Sequence, residues 1–239
     1  MELLLKEAAK IGVELTGDQM RKFETYKNLL LEWNKKFNLT AITDEKDIII
    51  KHFADSLSVV KIINEKKLDL SNISMIDVGT GAGFPGIPAK IAAPEIETVL
   101  LDATKKKIGF LHEVIERLEL AGIFCVHARA EEAGRLPEFR ECFETAVSRA
   151  VAPLGILAEY CLPFVKTGGF FFALKGPEAE REVDEAENVI VKLGGETEGI
   201  EKAFISGDEI KHYVVVVKKI KKTPETYPRE NRVIKRGAR

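Results

Sequence analysis

Residues 73–88 read Ile73-Ser74-Met75-Ile76-Asp77-Val78-Gly79-Thr80-Gly81-Ala82-Gly83-Phe84-Pro85-Gly86-Ile87-Pro88. A short apolar run ends beside an acid, and four glycines follow within eight residues. Glycine tolerates positive φ and lets other atoms approach the backbone. The stretch therefore reads as a strand-to-helix turn at the carboxyl end of a sheet. Working outward, β-rich runs recur at 98–101, 123–127, 145–148 and 169–174, separated by helical stretches at 85–93, 104–121, 153–166 and 177–193. That alternation predicts an α/β fold whose sheet is mostly parallel and covered by helices on both faces. Runs 196–205 and 213–219 follow with only Ser206-Gly207-Asp208 between them, so a C-terminal antiparallel hairpin is expected to close the sheet. Phe170-Phe171-Phe172 sits in a central strand and reads as core, not as a base-stacking surface.

Upstream of the glycine turn, Met20, Phe23, Tyr26, Leu29, Leu30, Trp33 and Phe37 recur every three or four residues, the stripe of an amphipathic helix. Thr43 or Asp44 can cap a second helix running to about Ile63, and 66–72 reads as a linker. The chain thus divides into a helical extension (1–70), an α/β domain (71–222) and a basic tail (223–239).

Composition narrows the class. The 239 residues are 45% hydrophobic and 31% charged, and no apolar run approaches the roughly 20 residues a bilayer needs. Met1-Glu2-Leu3-Leu4-Leu5-Lys6 lacks the features of a signal peptide. Cys125, Cys142 and Cys161 have no metal-ligand spacing, which argues against a zinc site and a disulfide framework. A cytoplasmic protein without membrane or metal is expected. Net charge is only −2, yet residues 211–239 hold ten Lys or Arg against two Glu, a balance of +8 that leaves −10 on the rest. A basic end on an acidic body suggests a polyanionic partner, usually nucleic acid.

The ligand class is less local. Asp102 ends the second strand, where an acid usually meets a ribose diol. Residues 81–86 match GxGxxG, with Asp102 a further 21 residues on, so a dinucleotide fold competes. Three features favour S-adenosylmethionine instead. Asp77 at the strand tip suits an ammonium, Pro85 and Pro88 crowd the helix start a pyrophosphate would use, and the chain closes in a hairpin.

The run 75–88 resembles the cofactor loop of the RsmG (GidB) ribosomal RNA methyltransferases. The resemblance covers most of the chain. It takes in Asn38-Leu39-Thr40-Ala41-Ile42, His52-Phe53-Ala54-Asp55-Ser56-Leu57, Leu101-Asp102-Ala103-Thr104-Lys105-Lys106-Lys107 and Phe110-Leu111. Ala130-Glu131-Glu132, Val147-Ser148-Arg149-Ala150, Ala173-Leu174-Lys175-Gly176 and Thr223-Pro224-Glu225-Thr226-Tyr227-Pro228-Arg229 extend it. It implies a class I S-adenosylmethionine-dependent methyltransferase (Rossmann-like) fold and methylation of guanine N7 in 16S ribosomal RNA. The implied partner is that RNA or the small ribosomal subunit and the implied location the cytoplasm; a monomer is expected. Position by position, it places Gly79 and Phe84 against the cofactor, with Gly81 and Gly83 in the same loop. Asp102, Ala103 and Thr104 go near the ribose and adenine, Ala130 and Glu131 beside the adenine, and Arg149 at the rim.

Guanine N7 carries an unprotonated lone pair, so attack on a sulfonium methyl needs no general base. His52, His112, His127 and His212 show no triad-like spacing. Arginine's bidentate grip on O6 and N7 would block the attacking atom, so the base should be held at its Watson–Crick edge or at O6. Asp55, Ser56, Arg149 and Lys175 are the candidates, Arg149 as an orienting group, and the tail 223–239 is the expected RNA element. A nicotinamide-dependent reductase and a non-enzymatic ribosome-associated protein remain as alternatives.

Overall fold

The computed structural model describes residues 1–70, 73–149, 152–203 and 212–236, the last two without their side chains. Seven strands form one sheet: β1 (Ser74–Val78), β2 (Glu97–Asp102), β3 (Ile123–His127), β4 (Phe143–Arg149), β5 (Val165–Lys175), β6 (Gly195–Ala203) and β7 (His212–Lys219). Their order is β3-β2-β1-β4-β5-β7-β6. The first five are parallel, whereas β7 runs antiparallel to both β5 and β6. The expected closing hairpin is present, and its turn lies outside the described residues. The order reverses at β1, with β2 on one side and β4 on the other. Such a switch point opens a crevice at the strands' carboxyl ends.

Strand period decides which face each residue covers. Met75, Leu100, Phe170, Phe172, Val214 and Val216 point into one apolar cluster; Ile76, Leu101, Phe171, Val215 and Val217 point into the other. The phenylalanine triple is therefore core. The second cluster is covered by α8 (Leu154–Cys161) and α9 (Ala179–Lys192). The first is covered by α1 (Glu2–Lys10), α2 (Gly17–Phe37), α4 (Asp55–Glu65), α5 (Gly86–Ala92) and α6 (Lys105–Arg117). The helix expected from Asp44 to Ile63 is not uniform. Asp44 caps a short α3 (Glu45–Asp47), and a π-helical stretch (Ile48–Ala54) follows before α4. Two short helices had no counterpart in the periodicity, α7 (Ala130–Ala133) and α10 (Asn231–Arg236).

Two side chains on α2 fasten it to the α/β core. A Thr16–Gln19 capping box starts the helix, and the Gln19 amide also donates to the Ile91 and Ala92 carbonyls at 2.8 and 3.1 Å. The fully buried Tyr26 hydroxyl donates to Ala82 O in the glycine turn at 2.5 Å. Asn38 then ends α2 in the left-handed region, φ +47°. The Asn34 side chain grips the main chain beyond it, donating to Thr40 O and accepting from Thr40 N, both at 2.9 Å.

The tail expected to be the RNA element is anchored to the domain. Arg140 donates to the carbonyls of Thr223, Pro224 and Tyr227, and Arg229 forks onto the buried Glu159, Nη2 to Oε2 at 2.6 Å. Lys219 is fully buried and donates to Leu162 O, Val165 O and Thr223 Oγ1; burial pulls its pKa down to about 8. Several charges that made this end look like a nucleic-acid arm are thus structural.

Candidate active site at the sheet switch point

A cavity of about 530 Å³ opens over the carboxyl ends of β1, β2 and β4, in the size range of small-molecule sites. Gly79, Gly81, Phe84, Asp102, Ala103, Ala130, Glu131 and Arg149 line it. Of the sequence candidates for the cofactor, only Asp77, Gly83 and Thr104 stand behind this lining.

Gly79, Gly81 and Gly83 all have positive φ, +71°, +64° and +100°. The turn consumes most of its own donors, the Ala82 amide being the exception. Gly79 N and Thr80 N donate to Leu101 O, Gly81 N to Asp102 Oδ2, and Gly83 N and Phe84 N to Thr80 O. Gly86 N donates to Asp77 Oδ2 at 2.8 Å and Ile87 N to Gly83 O, while Pro85 and Pro88 have no N–H. A phosphate cradle needs free amide hydrogens aimed at the ligand. This turn instead presents carboxylates and carbonyls, which suits a cationic, phosphate-free nucleoside.

Asp77 is fully buried and also accepts from Thr80 Oγ1 at 2.7 Å. Burial raises its pKa to about 7, against the two hydrogen bonds that lower it. Its Oδ1 has no hydrogen-bond partner among the described residues. Asp102, 6% exposed, accepts from Thr104 N at 2.8 Å and Gly81 N at 3.0 Å, with Lys107 Nζ 3.4 Å away. It thus ties the start of α6 to the glycine turn and still fronts the cavity. Glu131 lies at the start of α7, buried rather than exposed.

The opposite wall comes from elsewhere in the chain. Arg149, at the end of β4, donates through Nη1 to Lys51 O at 2.9 Å and Asp55 Oδ2 at 3.2 Å. Its Nη2 lies 3.0 Å from His52 Nδ1, and the guanidinium sits 4.9 Å from the Phe84 ring centre. The His52 ring stacks on the same phenylalanine at 4.4 Å. Burial, and then the charge of Arg149, hold the His52 pKa down at about 3. Arginine can only donate, so Nδ1 accepts and Nε2 carries the hydrogen. That nitrogen lies 2.8 Å from Thr40 Oγ1.

The structure does not bring Asp55, Ser56 and Lys175 to the cleft. Asp55 is 2% exposed, held between Arg149 and His212 Nδ1 at 3.2 Å. The Ser56 hydroxyl donates to His52 O at 2.5 Å, and Lys175 is taken by Ala152 O and Glu182. Two residues that sequence reasoning passed over, Thr40 and His52, line the cavity in their place. The signal available for them was the asparagine-rich end of α2. His52 had been weighed only as a triad member, a role it does not fill.

A family model described as rRNA small subunit methyltransferase G matches residues 19–211. The Ribosomal RNA small subunit methyltransferase G of Acetivibrio thermocellus is 50% identical over 230 residues, covering 96% of this chain and 93% of that protein. Its namesake in Thermoanaerobacter sp. (strain X514) is 47% identical over 240 residues, 99% and 97% of the two chains. Among solved structures, M. jannaschii TYW2 in complex with AdoMet superposes with a TM-score of 0.51 at 16% identity, covering 66% of this chain and 76% of that one. Geranyl diphosphate C-methyltransferase from Streptomyces coelicolor A3(2) gives 0.53 at 10% identity, covering 70% and 79%. At such identities these two show a shared fold.

Proposed function

The chain belongs to the GidB family of rRNA small subunit methyltransferases G, and from that premise we propose that it transfers a methyl group from S-adenosylmethionine to guanine N7 in 16S ribosomal RNA. The observation that carries the reading at the site is the glycine turn, whose amide hydrogens, apart from that of Ala82, are already engaged beneath a cavity fronted by Asp102. A pyrophosphate finds no cradle there, which disfavours the nicotinamide reductase. The relatives, named as methyltransferases, disfavour the non-enzymatic reading.

When bound, S-adenosylmethionine supplies a methyl group already activated on a sulfonium. The chain's residues bind and orient. Asp102 accepts from the ribose hydroxyls with its remaining lone pairs, a charge-assisted contact. Asp77, fully buried behind the lining, braces the turn through Thr80 Oγ1 and Gly86 N instead of meeting the ammonium expected from its place in the sequence. Gly79 and Gly81 allow close approach of the amino-acid end, and Thr104 holds Asp102 in place through its amide. Phe84, Ala103, Ala130 and Glu131 shape the remaining wall around the nucleoside.

No proton needs to leave guanine N7 for attack, and neutral His52 has both nitrogens engaged. Arg149 therefore orients and moves no proton. Rate enhancement comes from alignment and the exclusion of water. The substrate is 16S RNA or the small subunit, and the protein works as a cytoplasmic monomer. Among the described residues, no helix is long and apolar enough to cross a membrane. Calorimetry with S-adenosylmethionine and NAD, followed by primer extension on small-subunit RNA, tests the reading. Binding of the first ligand alone and one new N7-methylguanine are expected; NAD binding or unmodified RNA overturns it.

A further inference from the structure

Thr40 stands where the cofactor-facing wall ends, and its hydroxyl is fully specified by its neighbours. A threonine hydroxyl has two acceptor lone pairs and one hydrogen. Oγ1 takes the Nε2 hydrogen of His52 at 2.8 Å and the amide hydrogen of Ile42 at 3.1 Å. Both lone pairs are then engaged, and the one hydrogen is left for a ligand in the cavity that Thr40 lines. The polarity is imposed from a distance. Arg149 donates to His52 Nδ1 at 3.0 Å and cannot lose its proton. The opposite tautomer, in which Thr40 would donate to Nε2, is excluded as long as Arg149 is there. Asn34 fixes the Thr40 backbone, and Phe84 supports both the imidazole and the guanidinium.

Resting on the methyltransferase reading above, we propose that the Thr40 hydroxyl, oriented by Arg149 through His52, donates the hydrogen bond that recognises O6 of the guanine being methylated. A group locked as a donor is selective. Guanine offers an acceptor at position 6, where adenine presents an amino donor. One hydrogen bond to O6 leaves the adjacent N7 open to the methyl group, as the two-point arginine grip does not. Arg149 and His52 are positioning residues in this arrangement, and Thr40 is the group that touches the base.

The test compares two RNAs that differ only at the mapped target, one carrying guanine and the other 2-aminopurine, which has hydrogen in place of O6. Wild-type kcat/KM should fall roughly tenfold on 2-aminopurine, the worth of one neutral hydrogen bond. Thr40→Val should fall by a similar factor on guanine and lose little more on 2-aminopurine. Thr40→Ser, which keeps the hydroxyl, should recover most of the loss, and calorimetry should show unchanged cofactor affinity in the valine variant. Equal losses by Thr40→Val on both RNAs, or weakened cofactor binding, overturn the assignment while leaving the reaction standing. A wild-type protein that methylates neither RNA overturns the reaction and this inference together.

Discussion

One wall of the cleft is made of main chain and the other of side chains gathered from distant segments. On the cofactor side, Gly79 to Ile87 bond to themselves, to Leu101 and to two strand-tip carboxylates. Facing them, Arg149 meets Lys51, His52 and Asp55, partners 94 to 98 residues away in sequence. The first wall is rigid because backbone conformations are few. The second has a definite polarity because an arginine forces one tautomer. The difference teaches that a common binding loop can be reused while recognition is settled by long-range contacts.

The rigid wall should break most severely. An alanine Cβ at position 83 would lie 2.5 Å from Ile87 Cδ1 and 2.8 Å from the Tyr26 hydroxyl, at a φ of +100°. Overpacking and backbone strain together predict that Gly83→Ala loses about 3 kcal/mol in urea denaturation, along with cofactor binding. A loss below about 1 kcal/mol would mean that the loop is pliant and the contrast false. On the opposite wall, Arg149→Lys should lower turnover by about tenfold or more, since a single ammonium nitrogen does not span the acceptors that the two ends of the guanidinium fork reach. Its cofactor affinity and pH profile should not change; a shifted profile would give Arg149 a proton-transfer role.

A smaller effect comes from His52. Its folded pKa of about 3 lies below the ordinary 6.5, so the unfolded chain takes up a proton that the fold refuses. That contribution to stability is present above pH 6.5 and is lost as pH falls toward 3, roughly 2 kcal/mol by pH 5. Asp77, raised from 3.8 to about 7, acts in the opposite sense, keeping a proton that the unfolded chain has shed. The difference between wild type and His52→Gln isolates the histidine, and parallel pH curves would deny its burial as a neutral group. Smallest should be removal of 235–239, which takes away three cations but none of the anchors. Stability should move by less than about 0.5 kcal/mol, while the salt slope of RNA binding falls by about one to two. Removing 223–239 should instead unfold the protein more readily, because it strips the buried Glu159 of Arg229 and takes one of Lys219's acceptors, Thr223 Oγ1.

Legibility follows the same division. Strands 74–78 and 123–127 and helix 17–37 stand within a residue or so of their expected places, because apolar period and glycine position act locally. The π-helical stretch at 48–54 is indistinguishable from ordinary helix in the sequence, since hydrophobic spacing does not report helix width. Asp55 and Lys175 looked available because their partners, His212 and Glu182, come from other elements. Thr40 was invisible as a donor until Asn34 and His52 were placed around it. The anchoring of the tail is hidden in sequence for the same reason: Arg140 and Glu159 lie far upstream of the residues they hold.

The sheet order sets a timetable for the growing polypeptide. Of the seven strands β7 is made last, yet it lies between β5 and β6, and β6 pairs with no other strand among the described residues. While translation is in progress, β6 must wait unpaired and the edge of β5 stays open. A nascent chain released before residue 219 therefore exposes two sticky edges at once, and chaperones would recognise that state rather than the finished enzyme.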